Sequence, residues 1–216
     1  MTESNARLQQ ASFSDFSVPD FPRIRKVLRF FRDRSPGICL DLGYCPGSFA
    51  DYLVQQGWSC VGLDIVQRVN AGSGVQHLQS DIFRGLPIAD QQVDAITAGE
   101  LIEHLTDDGA FLRECWRVLK PGGLLALTTP NLTFALNRGL ILLGKMPKFV
   151  HEPYHYRIYN LDSLHQTVTT AGFTVRAVTS SHTLYSTRLH PSGIVFEWLG
   201  DRLPSFGAHL IVLAQK

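Results

Sequence analysis

Long apolar runs are missing from this chain, and so are the cysteine and charge patterns that would narrow its function at once. No stretch of about 20 apolar residues occurs in its 216 residues, so no membrane-spanning helix is expected. Residues 1–20 lack the apolar centre of a secretory leader. The four cysteines (Cys39, Cys45, Cys60, Cys115) show neither C-x-x-C nor His-paired zinc spacing. Cys39 and Cys60 fall in apolar runs and read as small core residues, a usage that suits a reducing, cytoplasmic setting. The formal net charge is only +1, which excludes a global basic field for nucleic acid and leaves only a local patch open. Internal repeats and low-complexity blocks are absent as well. What is present is 44% hydrophobic content, enough for one domain over residues 1–216 with a full core and a loose arm at 1–18.

The chain is organised around Ile38–Ser48, ICLDLGYCPGS. An apolar run carries an acid, Asp41, near its end. A loop with Gly43 and Gly47 follows, then a helix-like run from about Pro46 to Gln56. This is a strand, a glycine turn and a helix N-terminus, the place where open α/β sheets bind ligands. A second acid, Asp64, closes the strand-like run Ser59–Asp64, 21 residues after Gly43. That spacing is close to the ~20 expected of a carboxylate that binds ribose hydroxyls, so the ligand contains a nucleoside. The loop lacks the G-x-G-x-x-G spacing of a dinucleotide site. Asp41 would repel a pyrophosphate and suits a cationic ligand with an amino group and a sulfonium. An ordinary strand-to-helix turn without a ligand is the competing reading.

At these residues the chain resembles the class I S-adenosylmethionine-dependent methyltransferases, whose first motif is D-x-G-x-G-x-G. Asp41, Gly43 and Gly47 match. Cys45 stands where the middle glycine is usual, and a Cβ makes positive φ costly. The loop must therefore follow a slightly different path or hold the cofactor less tightly. The resemblance implies that Asp81 accepts from the adenine amino group and that Ile82 packs on the ring, although Asp81 could simply cap a turn. It implies cofactor contacts from Tyr44, Ile65 and Gly99 too. It covers residues 36–131 well, including the helix, Lys-Pro-Gly-Gly and strand around Lys120–Thr129, and the C-terminal third loosely.

The implied fold is α/β: a Rossmann-like, doubly wound, mostly parallel seven-stranded sheet with an antiparallel last strand. Helices lie on both faces, and a helical insertion follows strand five. Further strands are expected at Val75–Gln79, Val93–Ala98, Leu124–Thr129, Phe173–Thr179 and Ala208–Ala214. Helices are expected at Asp107–Leu119 and Leu161–Ala171, the latter capped by Asn160 or Asp162. Asp20–Arg34 has apolar residues at helical spacing among arginines and lysines. It is either a solvated helix on the sheet edge or a lid facing substrate or membrane. Residues 132–160 form a substrate cover in this reading, ending in the polar–aromatic run HEPYHYRIYN.

A second constellation is Glu100, Glu103 and His104. On a helix these positions share one face and would converge at the tip of strand four. One chemistry for such a set is acid–base, with His104 taking a proton from a hydroxyl and a glutamate orienting the ring. Another is a divalent cation held by Glu100, Glu103, His104 and a later histidine. A structural role is the third, since glutamates near a helix start are favoured by the macrodipole alone. The run E-x-x-E-H resembles that of ubiquinone-pathway O-methyltransferases and of small-RNA 2′-O-methyltransferases, and the resemblance implies metal assistance. His155, or else His151, would be the later histidine. Two imidazoles would suit Mn²⁺, Fe²⁺ or Zn²⁺ as well as Mg²⁺.

The expected activity is methyl transfer from S-adenosylmethionine to oxygen on a small molecule or a lipid or sugar precursor. His104, His155 and Glu103 are the expected catalytic residues. An RNA methyltransferase and a non-catalytic cofactor-binding protein are the alternatives. Nucleic acid is disfavoured as a partner by the near-neutral charge, and peripheral membrane contact stays open.

Overall fold

A computed structural model describes residues 21–67, 74–150, 152, 154–182 and 193–216. Seven strands form one sheet in the order β3-β2-β1-β4-β5-β7-β6. In chain order the elements are α1 (Phe21–Arg29), β1 (Ile38–Leu42), α2 (Phe49–Val54), β2 (Ser59–Asp64), β3 (Gln76–Gln79), β4 (Val93–Gly99), α3 (Asp108–Val118), β5 (Leu119–Pro130), α4 (Ala135–Leu142), α5 (Leu161–Thr170), β6 (Thr174–Ser180), α6 (Gly193–Arg202) and β7 (His209–Gln215). Strands β1 to β5 pair in parallel, and β7 runs antiparallel to both β5 and β6. The loose arm at 1–18, most of the loop at 69–74 and His151 lie outside the described residues.

Both faces of the sheet are covered, which explains why the central strands are buried along nearly their whole length and mostly apolar rather than alternating. On one face Ile24, Val27 and Phe31 from the α1 segment join Phe49, Ala50 and Leu53 of α2 over Cys39, Cys60 and Ala95. On the other, Phe111, Leu112 and Cys115 of α3 and Leu164 and Val168 of α5 cover Leu40, Ile96 and Leu125. Cys39 and Cys60 are buried core residues, as their apolar surroundings imply.

Local chemistry sets most boundaries. Asp107 caps α3 by accepting from Ala110 N–H at 2.8 Å, and Asn160 caps α5 in a reciprocal pair with Ser163. Most boundaries fall within a residue or two of the sequence reading, and two of the larger differences have a local cause. Helix α2 starts at Phe49 with Ser48 as N-cap, so Pro46 belongs to the turn. Strand β5 begins at Leu119, because the chain pairs with Val93 before the Pro-Gly-Gly irregularity and resumes at Ala95↔Leu124. The segment of uncertain role near Ile194 is helix α6. It is tied to α1 by buried Lys26, whose Nζ lies 2.8 Å from Asp201 Oδ1 and donates to the Ser180 carbonyl at 2.7 Å.

Candidate active site

The carboxyl ends of β1, β2 and β4 converge beside the glycine loop. Gly43 and Gly47 have φ of +72° and +87°, a region open to glycine without steric cost. The N–H groups of Gly43 and Tyr44 donate to the Leu63 carbonyl, pinning the loop to β2. Among the described residues Cys45 is not one of the non-glycine residues with positive φ. The expected conflict at that position is therefore resolved by a loop path that gives the left-handed steps to the two glycines.

Two expected cofactor residues turn their side chains into the protein. Tyr44 is buried, and its hydroxyl donates to Asp51 Oδ1 at 2.8 Å. Asp41 is 2% exposed and accepts from Ser48 Oγ, Ala50 N–H (3.0 Å) and Thr97 Oγ1 (2.8 Å). Burial pushes its carboxyl pKa up despite these bonds. Asp41 thus ties the glycine loop and the α2 start to β1 and β4.

Asp64 and Asp81 stand at neighbouring strand ends. Asp64 accepts from Val66 N–H at 2.7 Å, and burial pushes its carboxyl up to about 6. A carboxylate held part-buried is one whose ionised form gains most from new hydrogen-bond donors. Ile65 follows it, half-buried, with its carbonyl accepting from Gln79 Nε2. Asp81 caps a short 3₁₀ turn, Ile82–Arg84, by accepting from Phe83 N–H at 3.1 Å. Ile82 packs at the margin of the core.

The β4 tip adds a close approach. A Cβ on Gly99 would sit 2.7 Å from Phe49 Cε2 and 3.3 Å from Arg23 Nη1. Arg23 on α1 reaches this point by donating to Thr128 Oγ1 at 3.0 Å and pairing with Glu100 Oε1 at 3.1 Å. Its place at the site was not legible in the sequence, where it is one of several basic residues on an amphipathic helix.

Beyond Gly99 the expected helical face gives way to different geometry. Glu100 has φ +53°, and Ile102–His104 is a 3₁₀ turn. The left-handed step separates Glu100 from the other two residues. Glu100 turns to Arg23, Thr128 and His209, whose Nε2 is 3.5 Å from Oε2. Burial alone would raise its pKa, yet His209 and Arg23 hold it below the usual carboxylate range. The three residues brought together are Glu103, His104 and His155, with one possible ligand atom from each lying within 4.8 Å of the others.

This trio has a defined polarity. His104 Nδ1 is 3.0 Å from the Tyr154 carbonyl and His155 Nδ1 is 2.9 Å from the Phe149 carbonyl. A carbonyl only accepts, so each Nδ1 carries a proton and each ring, in its neutral form, has its lone pair on Nε2. Burial, then the adjacent His155, lower the His104 pKa. Glu103 is 2% exposed; Oε2 accepts from Thr129 Oγ1 at 2.9 Å, while Oε1 has no hydrogen-bond partner among the described residues. Burial and the nearby Glu100 push its carboxyl well up. A buried carboxyl with an idle oxygen beside two oriented imidazoles can receive a proton, a hydroxyl or a cation.

Residues 20–178 match the family described as methyltransferase domain. The chain belongs to this family. An S-adenosylmethionine-dependent methyltransferase described as probable, from Mycolicibacterium smegmatis, is 34% identical over 141 residues, covering 63% of this chain and 51% of that one. A ubiquinone biosynthesis O-methyltransferase from Acinetobacter baumannii is 26% identical over 176 residues, covering 72% of this chain and 73% of that one. This methyltransferase-family chain thus spans about half the length of the Mycolicibacterium relative. Among solved structures, an S-adenosylmethionine-dependent methyltransferase from Archaeoglobus fulgidus superposes with a TM-score of 0.65 at 20% identity, covering 90% of this chain and 91% of that one. The 1,6-didemethyltoxoflavin N1-methyltransferase of Burkholderia thailandensis, bound to S-adenosylhomocysteine, gives 0.65 at 14% identity, covering 98% and 84%. At these identities the structural likeness speaks for the fold.

Proposed function

We propose that this chain transfers the methyl group of S-adenosylmethionine to a hydroxyl of a small molecule or a lipid or sugar precursor. The observation that carries this reading is the neutral, oriented His104 beside buried Glu103, next to a glycine loop flanked by part-buried Asp64. In this reading Asp64 accepts from the ribose hydroxyls and Asp81 from the adenine amino group, with Ile65 and Ile82 against the ring. Gly43, Cys45, Gly47 and Gly99 bring main chain close to the methionyl part. Asp41 acts through the loop that it holds. Arg23, near Gly99, suits the methionyl carboxylate.

The sulfonium carries its own leaving group, so the protein must chiefly align donor carbon and acceptor oxygen. As the oxygen bonds the methyl carbon, the carbon–sulfur bond breaks and its electron pair stays on sulfur. The hydroxyl proton passes to Nε2 of His104, with His155 alongside. The Acinetobacter relative is named for O-methylation, which supports oxygen as the acceptor atom.

A second reading is favoured by one observation, the idle Oε1 of Glu103. Glu103, His104 and His155 would hold a divalent cation, which would supply positive charge to acidify an acceptor hydroxyl. Each Nδ1 already donates to a carbonyl, the usual outer partner of a ligating histidine. Glu100, drawn off by Arg23 and His209, is not part of that set. An RNA acceptor is the less supported alternative, because the charge is near neutral.

Calorimetry with S-adenosylmethionine, followed by turnover on a panel of phenolic, sugar and lipid hydroxyls, tests the proposal. His104→Asn is expected to lower turnover by about 10²–10⁴-fold, as loss of a general base does, with donor affinity unchanged. Absence of donor binding by the parent would refute the enzymatic reading. Metal analysis of the purified protein decides between the two uses of His104.

A further inference from the structure

Of the ten large apolar residues that are exposed among the described residues, six lie in the cover that follows β5: Ile141, Leu142, Leu143, Met146, Tyr156 and Ile158. Four of them crowd one turn, with exposures of 53%, 87%, 72% and 55% for Ile141, Leu142, Leu143 and Met146. Such a contiguous exposed cluster marks an interaction surface.

The turn is built to project. Helix α4 ends in a left-handed Gly144 (φ +65°), with Lys145 N–H donating to Leu140 and Gly144 N–H to Ile141. This is a glycine-terminated helix stop, and Pro147 lies just past it. Cβ atoms added at Gly139 or Gly144 would meet nothing within 4 Å. At its base the hairpin is clamped by buried Asn137, whose Oδ1 accepts from Lys148 N–H at 2.8 Å and whose Nδ2 donates to the Leu132 carbonyl at 3.1 Å. Hydrogen bonds thus fix the base from which the apolar end projects. Between Leu132 and Val150 there are three basic residues, Arg138, Lys145 and Lys148, and no acidic one.

We propose that this hairpin end is a wedge that docks on an anionic phospholipid surface. Apolar side chains at the very tip with cations just behind them match acyl chains beneath a negatively charged headgroup layer. The contact proposed is peripheral; no described helix is long and apolar enough to cross a membrane. The wedge rises from the end of β5, and the chain that returns from it carries His155. Docking would present the acceptor side of the site to molecules in the bilayer. That consequence rests on the functional reading above; the docking itself does not.

The test is co-sedimentation of the full chain with vesicles of phosphatidylcholine alone and of phosphatidylcholine with phosphatidylglycerol. The parent is expected to bind the anionic vesicles, and more weakly as salt rises. The double variant Leu142→Ser, Leu143→Ser should lose at least tenfold in binding while keeping its melting temperature and donor affinity. Lys145→Gln should lose about fivefold, the worth of one basic residue near an anionic surface. Failure of the parent to bind, or equal binding by the double variant, overturns the proposal. So does a parent dimer that the double variant converts to monomer by light scattering, which would assign the face to a second copy. Vesicle binding without donor binding would instead spare the wedge and sink the methyl-transfer reading.

Discussion

Replacing Asp64 by asparagine should make the folded protein more stable and the donor site weaker at the same time. The folded carboxyl takes its proton at about 6, against an ordinary value of 3.8, chiefly because it is part-buried. A raised carboxylate pKa means that the folded state binds more protons than the unfolded one between those values. Stability contributed through this group therefore rises as pH falls from about 6 to about 4, and above 6 the ionised form is a constant burden. Two units correspond to at most about 3 kcal/mol. Asparagine keeps the acceptor that Val66 N–H uses at 2.7 Å but loses the charge that strengthens that bond, a loss of about 1 kcal/mol. The expected net gain is about 1–2 kcal/mol at pH 7.5, vanishing near pH 4. Urea denaturation of parent and variant across that range measures it. Calorimetry on the same samples should show donor affinity reduced by at least tenfold, since two ribose hydroxyls lose an ionised acceptor. The parent's affinity should fall below pH 6 as Asp64 protonates. A variant that is less stable at pH 7.5 and binds donor like the parent would refute both the burial argument and the ribose assignment.

Two further substitutions probe the frame around the site. Gly99→Ala forces a Cβ to 2.7 Å from buried Phe49 and should cost about 2 kcal/mol with weakened donor binding; an unchanged melting temperature and affinity would show that the β4 tip yields freely. Lys26→Met keeps the apolar stem but removes the ammonium that donates to the Ser180 carbonyl and pairs with Asp201, which keeps Thr179 Oγ1 and Arg29 as partners. Because Asp201 is part-exposed and can regain water, the loss should sit near the low end of the buried-pair range, about 3 kcal/mol, read by thermal unfolding.

Where side-chain pattern and local turn chemistry act together, the sequence was a close guide. The strands Ile38–Leu42 and Ser59–Asp64 have the bounds that their apolar runs and terminal acids suggest. Asn160 caps its helix as its type predicts. The antiparallel end of the sheet was legible through family resemblance. What escaped were features decided by contacts far along the chain. Glu100 has no local reason to adopt φ +53°; the Thr128 carbonyl that accepts its N–H, and Arg23, which pairs with it, lie on β5 and α1. The helical spacing of Glu100, Glu103 and His104 was therefore the wrong ruler for that turn. Asp41 stands in the register of a ligand group, and its three internal partners, Ser48, Ala50 and Thr97, become neighbours only when β1 meets β4 and α2.

Strand β7 lies between β5 and β6, and among the described strands β6 has no other partner. A nascent chain that has emerged only through β6 would thus present an open border along β5 and a sixth strand with nowhere to dock. Completion of the sheet must wait for the residues of β7, His209–Gln215. Until they arrive, Leu125 and Leu127 stand at an unfinished margin where a foreign strand could lodge, and the burden of avoiding aggregation during synthesis falls on that interval.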